Sequence, residues 1–151
     1  MTSAGPATRY PGGPRESPGF LLWRLTRSWE RAVGDALAPL GLTHTQFVLL
    51  ACTHWLHSHG RPTGQVDISA ASGVDTKTAS AVIRRLEADG LVTRVPSPTD
   101  TRVRVVVPTA AGAGLAGRAI GVVEQADETF FATQPAALRA VLLDTAAAHA
   151  R

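Results

Sequence analysis

The chain of 151 residues is nearly without several residue types. Cysteine occurs once, as Cys52, so no intrachain disulfide framework is available and a reducing compartment is expected. Lysine also occurs once, as Lys77, and aromatic residues make up only 5%. No apolar run approaches the roughly 18 residues of a membrane-spanning helix, so no contact with a membrane is expected. The N-terminus lacks the charged-then-apolar order of a secretory signal. A cytoplasmic protein is therefore expected. There is no nucleophile–base–acid set, no phosphate-cradling glycine loop and no paired acidic motif. Gly12-Gly13 stands in none of the contexts such loops require. Neither an enzyme nor a cofactor is expected.

Hydrophobic residues make up 44% of the chain and charged residues 18%, which describes one globular domain and excludes wholesale disorder. Fifteen basic against twelve acidic residues leave a net charge of +3, with a pI near 10.0. All cations but Lys77 are arginines. GC-rich codon usage accounts for most of that ratio. Residues 1–61 carry +3, 62–107 carry +1 and 108–151 carry −1. Bulk charge thus cannot argue for a nucleic-acid partner; only placement can.

Residues 1–16 are rich in Pro, Gly, Ser and Thr and read as a flexible arm holding Arg9 and Arg15. Ser17-Pro18 reads as an N-cap followed by proline at the first helical position. Leu22, Leu25, Trp29 and Val33 continue at helical spacing to a stop near Pro39–Gly41. Thr43-x-x-Gln46 fits a capping box, and Phe47 to Cys52 is apolar all round, as in a buried helix. Gly60-Arg61-Pro62 breaks it. A short helix fits Val66 to Ala71 and ends at Gly73. Asp75 caps the next helix, which runs to about Asp89 and stops at a left-handed Gly90. Leu91 to Val95 reads as a strand, and Pro96 to Thr101 as a turn. The alternation of Val103, Val105 and Val107 with Arg102, Arg104 and Val106 predicts a second strand with both arginines on one face. Thr109 caps a long helix with Leu115, Ala119, Val122, Ala126 and Phe130 as its apolar stripe. Its glycines 112, 114, 117 and 121 suggest a bent start or a close backbone approach. Gln134-Pro135 ends it, and Ala136 to His149 makes a last helix with Leu138, Val141 and Leu142 inward. No internal repeat is present.

Short helix, glycine turn, capped helix, strand, turn, strand is the order of a winged helix-turn-helix. On the helix from Asp75 to Asp89, Ala79, Val82, Ile83 and Leu86 share one face. Thr76, Lys77, Thr78, Ser80 and Arg84 lie away from it. Short hydroxyls near the helix start permit close approach to a duplex, and the cations reach phosphates or guanine edges. Ala81, also outward, can meet only a thymine methyl. Asp100 stands two residues before Arg102, where its carboxylate can direct the guanidinium. An arginine so held at a hairpin tip fits a narrow minor groove. Double-stranded DNA is the partner these placements imply, with Arg104 beside Arg102 as a further contact.

Gly41-Leu42-Thr43-His44-Thr45-Gln46-Phe47 comes first of four segments in order. Ser80 with Arg84 to Val92, then Asp100-Thr101-Arg102, then Pro108 to Gly112 follow. Together they resemble the multiple-antibiotic-resistance-regulator (MarR) family of winged-helix transcription factors, across Gly41 to Leu115. The resemblance implies a mainly α protein with a small β-ribbon, a single domain over 17–151. In it 43–107 is the winged helix-turn-helix lobe, and 17–40 with 109–151 are dimerisation helices. It implies a homodimer on a pseudo-palindromic operator, most often a repressor with effector-modulated affinity. It makes Asp75–Asp89 the recognition helix and Arg102 the wing arginine, oriented by Asp100. Two departures stand out. Thr101 replaces a frequent arginine, and Ala81 replaces a longer polar residue. Apolar, charge-poor terminal helices favour a dimer on physical grounds too.

Trp23, Trp29 and Phe47 are candidates to line a pocket for a small aromatic or anionic effector, with Arg27 to meet an anion, although core and dimer packing is the simpler role for each. His54, His57 and His59 lack a nearby Cys or carboxylate to complete a metal site, and histidines at a helix end also complement its dipole. No metal ligand set is assigned. Cys52 in its apolar stretch reads as an inert thiol. The alternatives are a winged-helix protein-interaction module that does not bind DNA and a metal- or redox-switched regulator.

Overall fold

The computed structural model describes residues 8–133 and 135–149. Residues 1–7 of the expected arm, and Gln134 at the expected helix stop, lie outside the described residues. Residues 14–16 of the arm form a single 3-10 turn that leads into the first helix.

Local signals set most helix ends. Ser17 Oγ accepts from the Phe20 N–H at 3.4 Å, with Pro18 in the first position of α1 (Pro18–Leu37). A 3-10 turn and a left-handed Gly41 (φ 70°) end it. The Thr43–Gln46 capping box forms both of its bonds, at 3.2 and 2.9 Å, and starts α2 (His44–Ser58). Leu49 and Leu50 on α2 are fully buried, whereas Phe47, Val48, Ala51 and Cys52 are half-buried. Then come α3 (Gln65–Ser72), α4 (Thr76–Ala88), β1 (Val92–Pro96) and β2 (Arg104–Pro108). The chain closes with α5 (Ala110–Phe130) and α6 (Pro135–His149). The core gathers Val33 and Leu37 of α1, Leu49 and Leu50 of α2, and Ile68 of α3. Ile83 and Leu86 of α4, Val92 and Val106 of the strands, and Ala116 and Ala119 of α5 join them. Among the described residues no single helix is long and apolar enough to cross a membrane.

The two strands pair antiparallel, with Val92 opposite Pro108 and Val95 opposite Val105. Here the structure corrects the expected alternation. Arg102 lies in the connecting turn rather than in the strand, and Val103 is exposed. Val106, on the same face as Arg104, is the buried residue of β2. Its N–H donates to the Thr63 carbonyl at 2.9 Å, so the segment leaving α2 covers the strand and holds Val106 against the core. Arg104 lies on that face but beyond the core's edge, in solvent.

Helix α5 ends at Phe130, before the expected stop at Gln134-Pro135, and Pro135 opens α6 instead; the stripe of α5 also differs. Gly112, Ala116, Ala119 and Val123 are buried, while Leu115, Val122, Ala126 and Phe130 are half-buried. The cause is Gly112. A β-carbon there would collide with the Leu91 carbonyl, so the helix approaches the chain before β1 on that row. Thr109 locks the approach, donating from Oγ1 to the Gly90 carbonyl at 2.7 Å and accepting from the Gly112 N–H at 3.0 Å. Gly117 and Gly121 face open space and need no such explanation.

Finally, α6 buries none of its residues. Leu138 is half-buried, and Val141 and Leu142 point outward at 61% and 48% exposure. The core is already closed by α1, α2 and α5, and one chain offers α6 no facing surface.

Candidate nucleic-acid interface

The helix-turn-helix is held by side-chain bonds across the turn. Ser69 Oγ donates to the Val74 carbonyl at 2.6 Å, and the Val74 N–H donates to Ser72 Oγ at 3.2 Å. Gly73 supplies the left-handed backbone (φ 70°) that the turn requires. Gln65 Nε2 reaches across to the Thr76 carbonyl at 3.4 Å. Asp75 then caps α4, its carboxylate accepting from the Thr78 N–H at 2.9 Å. Hydrogen bonds from Thr78, side chain and backbone, hold the Asp75 carboxyl below the usual carboxylate range.

Ala79, Ile83 and Leu86 of α4 are buried and Val82 is half-buried, so the helix has one committed inner face. Thr76, Lys77, Thr78, Ala81 and Arg84 are exposed, and Ser80 is half-buried. Two contacts outside the expected set brace this helix. Arg85 pairs with Asp89 one turn on, at 3.0 Å. Arg94 of β1 meets Glu87 of α4 at 3.6 Å and ties the base of the hairpin to the helix. The spacing of Arg85 and Asp89 was a readable signal. Nothing local announces the Arg94–Glu87 pair.

The hairpin turn is closed by the Ser97 N–H on the Val103 carbonyl at 2.7 Å and the Val103 N–H on the Asp100 carbonyl at 2.9 Å. Asp100 does not direct the guanidinium of Arg102 as expected. Its Oδ1 accepts the Arg102 backbone N–H at 3.0 Å. The reason is geometric: a carboxylate two residues before an N–H closes an Asx turn on it, at lower entropic cost than fixing a long guanidinium. The side chains of Arg102 and Arg104 are left exposed, as is Thr101.

Trp23 and Arg27 come together on α1, the guanidinium 5.8 Å from the ring centre, with Trp23 58% exposed. Phe47 belongs to a different cluster. It stacks on His44 at 6.5 Å, and His44 meets the edge of Trp29 at 5.1 Å. Trp29 Nε1 donates to Asp127 Oδ1 at 2.7 Å, a bond between α1 and α5 across 98 residues that no sequence signal announced. His59 stacks on Trp55 at 4.4 Å, with Nδ1 2.8 Å from the Trp55 carbonyl, so it closes the end of α2. Among the described residues no three of His, Cys, Asp and Glu converge as a metal site. Cys52 is half-buried, and burial pushes its thiol pKa up, which disfavours the thiolate.

A helix with one buried and one polar face, followed by a braced hairpin with arginines at its tip, is the equipment of duplex recognition. Known proteins agree. The sequence profile of the MarR family matches residues 42–103. A Bacillus subtilis protein described as an uncharacterized HTH-type transcriptional regulator, YdcH, is 41% identical over 120 residues, spanning 80% of this chain and 82% of its own. The HTH-type transcriptional repressor Rv2887 of Mycobacterium tuberculosis is 34% identical over 109 residues, 72% of this chain and 76% of its own. Its crystal structure in complex with salicylic acid superposes with a TM-score of 0.63 at 30% identity, covering 89% of this chain and 96% of that one. The crystal structure of CouR from Rhodococcus jostii RHA1, bound to p-coumaroyl-CoA, superposes with a TM-score of 0.78 at 27% identity. It covers 88% of this chain and 91% of that one. Architecture, motif order and relatives converge: this chain belongs to the MarR family and is a winged-helix, DNA-binding transcriptional regulator.

Proposed function

We propose that the chain acts as a homodimeric repressor on a pseudo-palindromic operator, with a small effector lowering its affinity, and that it performs no catalysis. One observation carries this reading. On α4 the cations Lys77 and Arg84 and the hydroxyls of Thr76 and Thr78 face solvent, while Ala79, Ile83 and Leu86 anchor the opposite side. In this reading α4 lies in the major groove, with Thr76, Thr78 and Ser80 near its floor and Lys77 and Arg84 on phosphates or guanine edges. Arg102 enters the minor groove, Asp100 shapes the turn that carries it, and Arg104 meets the backbone. The repressor role is supported by the name of the Mycobacterium tuberculosis relative. A chromosomal target implies a cytoplasmic protein.

Segments 17–40 and 109–151 are assigned to dimerisation, 43–107 to the DNA-binding lobe, and 1–16 to the arm. Support comes from the apolar surface that one chain leaves wet: Leu22 and Leu25 on α1, and Val141, Leu142 and Leu143 on α6. Two-fold symmetry then sets the half-sites roughly 10 base pairs apart. Effector binding is supported by the liganded relatives. Trp23 and Arg27 form a stacking surface with a cation beside it for an aromatic or anionic ligand. Phe47 would act from the neighbouring cluster.

Footprinting on the DNA upstream of the chain's own gene, with affinity measured against salt, tests the reading. A protected two-fold site and a steep salt slope are expected, because phosphate contacts release counterions. Absence of duplex binding even at low salt would leave a winged-helix protein-interaction module instead.

A further inference from the structure

Between the outer face of the hairpin and the segment leaving α2 lies a cleft of about 480 Å³. Its apolar wall is Val95, Val105 and Val107, which share the sheet face turned away from Val106. Its floor includes Ser97, only 9% exposed, whose hydroxyl is 3.1 Å from Thr99 Oγ1 and accepts the Thr99 N–H at 3.3 Å. Its rim carries His57 and Arg61, and no carboxylate lines it. Arg61 is held in place by its backbone. Gly60 turns left-handed (φ 63°), and the Arg61 N–H returns to the Leu56 carbonyl at 2.9 Å. Its side chain is exposed, and among the described residues it has no acidic partner within salt-bridge distance.

An apolar cleft of this size with the buried Ser97 hydroxyl in its floor and one unneutralised guanidinium at the mouth selects for size and charge together. We propose that this cleft is a ligand site for a small monoanion with an apolar body and one carboxylate. The body lies against the three valines and the carboxylate pairs with Arg61, the geometry a guanidinium recognises best. The site is separate from the Trp23–Arg27 pair on α1. It also adjoins the wing. Pro98 and Thr99 line the cleft, and the next residues are Asp100 and the turn that presents Arg102. A ligand leaning on Thr99 therefore bears on the hairpin tip.

The test uses the full chain, free of DNA, so it is independent of whether the operator reading holds. With valine methyls and backbone amides labelled, 1-naphthoate is titrated and followed by NMR. Saturable shifts are expected at Val95, Val105 and Val107 and at the amides of Thr99 to Arg102. Arg61→Gln, an exposed loop change that spares the core, should weaken binding about tenfold, the order expected of one lost charge-assisted pair. The neutral analogue 1-naphthamide should bind the unaltered chain weakly to a similar degree. No saturable shift, an unchanged affinity in Arg61→Gln, or shifts confined to Trp23 and its neighbours on α1 would each overturn the proposal.

Discussion

The carboxylate of Asp100 grips Arg102 by its backbone N–H, 3.0 Å away, and leaves the guanidinium free. The pair is thus a turn lock rather than a salt bridge. Asn at position 100 retains the acceptor and removes a negative charge near the phosphates. Asp100→Asn is expected to bind operator at least as tightly as the native chain, and Asp100→Ala more weakly. Fluorescence anisotropy with a labelled duplex separates the two. An equal loss in Asp100→Asn and Asp100→Ala would show that charge, not turn geometry, matters there.

Arg102→Ala should weaken operator binding by about 1–3 kcal/mol and relax specificity where the wing reads the duplex. Size-exclusion chromatography with light scattering should show its assembly state unchanged. Lys77→Ala should act differently, lowering the slope of log affinity against log salt by about 1 with little effect on sequence preference. An equal salt slope would take Lys77 off the phosphates.

Gly112→Ala forces a methyl group onto the Leu91 carbonyl, which Thr109 holds in place. Because backbone rather than a flexible side chain must yield, the cost should reach the upper part of the roughly 1–3 kcal/mol typical of overpacking. Gly117→Ala, in open space, should raise stability slightly through helix propensity. Urea denaturation of both variants checks the contrast.

Asp75 contributes to the start of α4 only while ionised. Its folded-state pKa lies below the ordinary value, so the contribution is complete above that value and is lost as pH falls through the lowered one. Acid unfolding is therefore expected to steepen below roughly pH 3.9, the ordinary Asp range. Asp75→Asn caps equally well without titrating and should remove that part of the pH dependence. Thermal unfolding by circular dichroism across pH 2–5 (a range of order set by that reference value) would reveal identical profiles if the cap were irrelevant.

The exposed apolar rows of α1 and α6 predict that Leu142→Asp disrupts self-association while leaving the winged lobe folded. Sedimentation should show a lighter species, and amide hydrogen exchange an unchanged protection of α4. A wild-type chain that sediments as a monomer would remove the two-fold operator from the reading.

Features written in a few consecutive residues were legible. Ser17-Pro18, the Thr43–Gln46 box, Asp75 before α4, Gly73 and Gly90 each act within one turn, because orphan N–H groups and left-handed backbone are local demands. The inner face of α4 was legible for the same reason, since Ala79, Ile83 and Leu86 recur at helical spacing. Illegible features joined distant residues. Val106 is buried because Thr63 pairs with it, the α5 stripe shifts because Gly112 meets Leu91, and Trp29 bonds Asp127 across the domain.

The amino-acid order alone therefore determined which helices form, where most of them start and stop, and that a polar-faced helix precedes an arginine-tipped hairpin. Those are consequences of short-range sterics and backbone hydrogen bonding. Tertiary structure decided which face of β2 turns inward, what Asp100 holds, whether Phe47 joins Trp23, and that α6 stays uncovered. Each depends on which surface another element has already occupied, and periodicity carries no record of that.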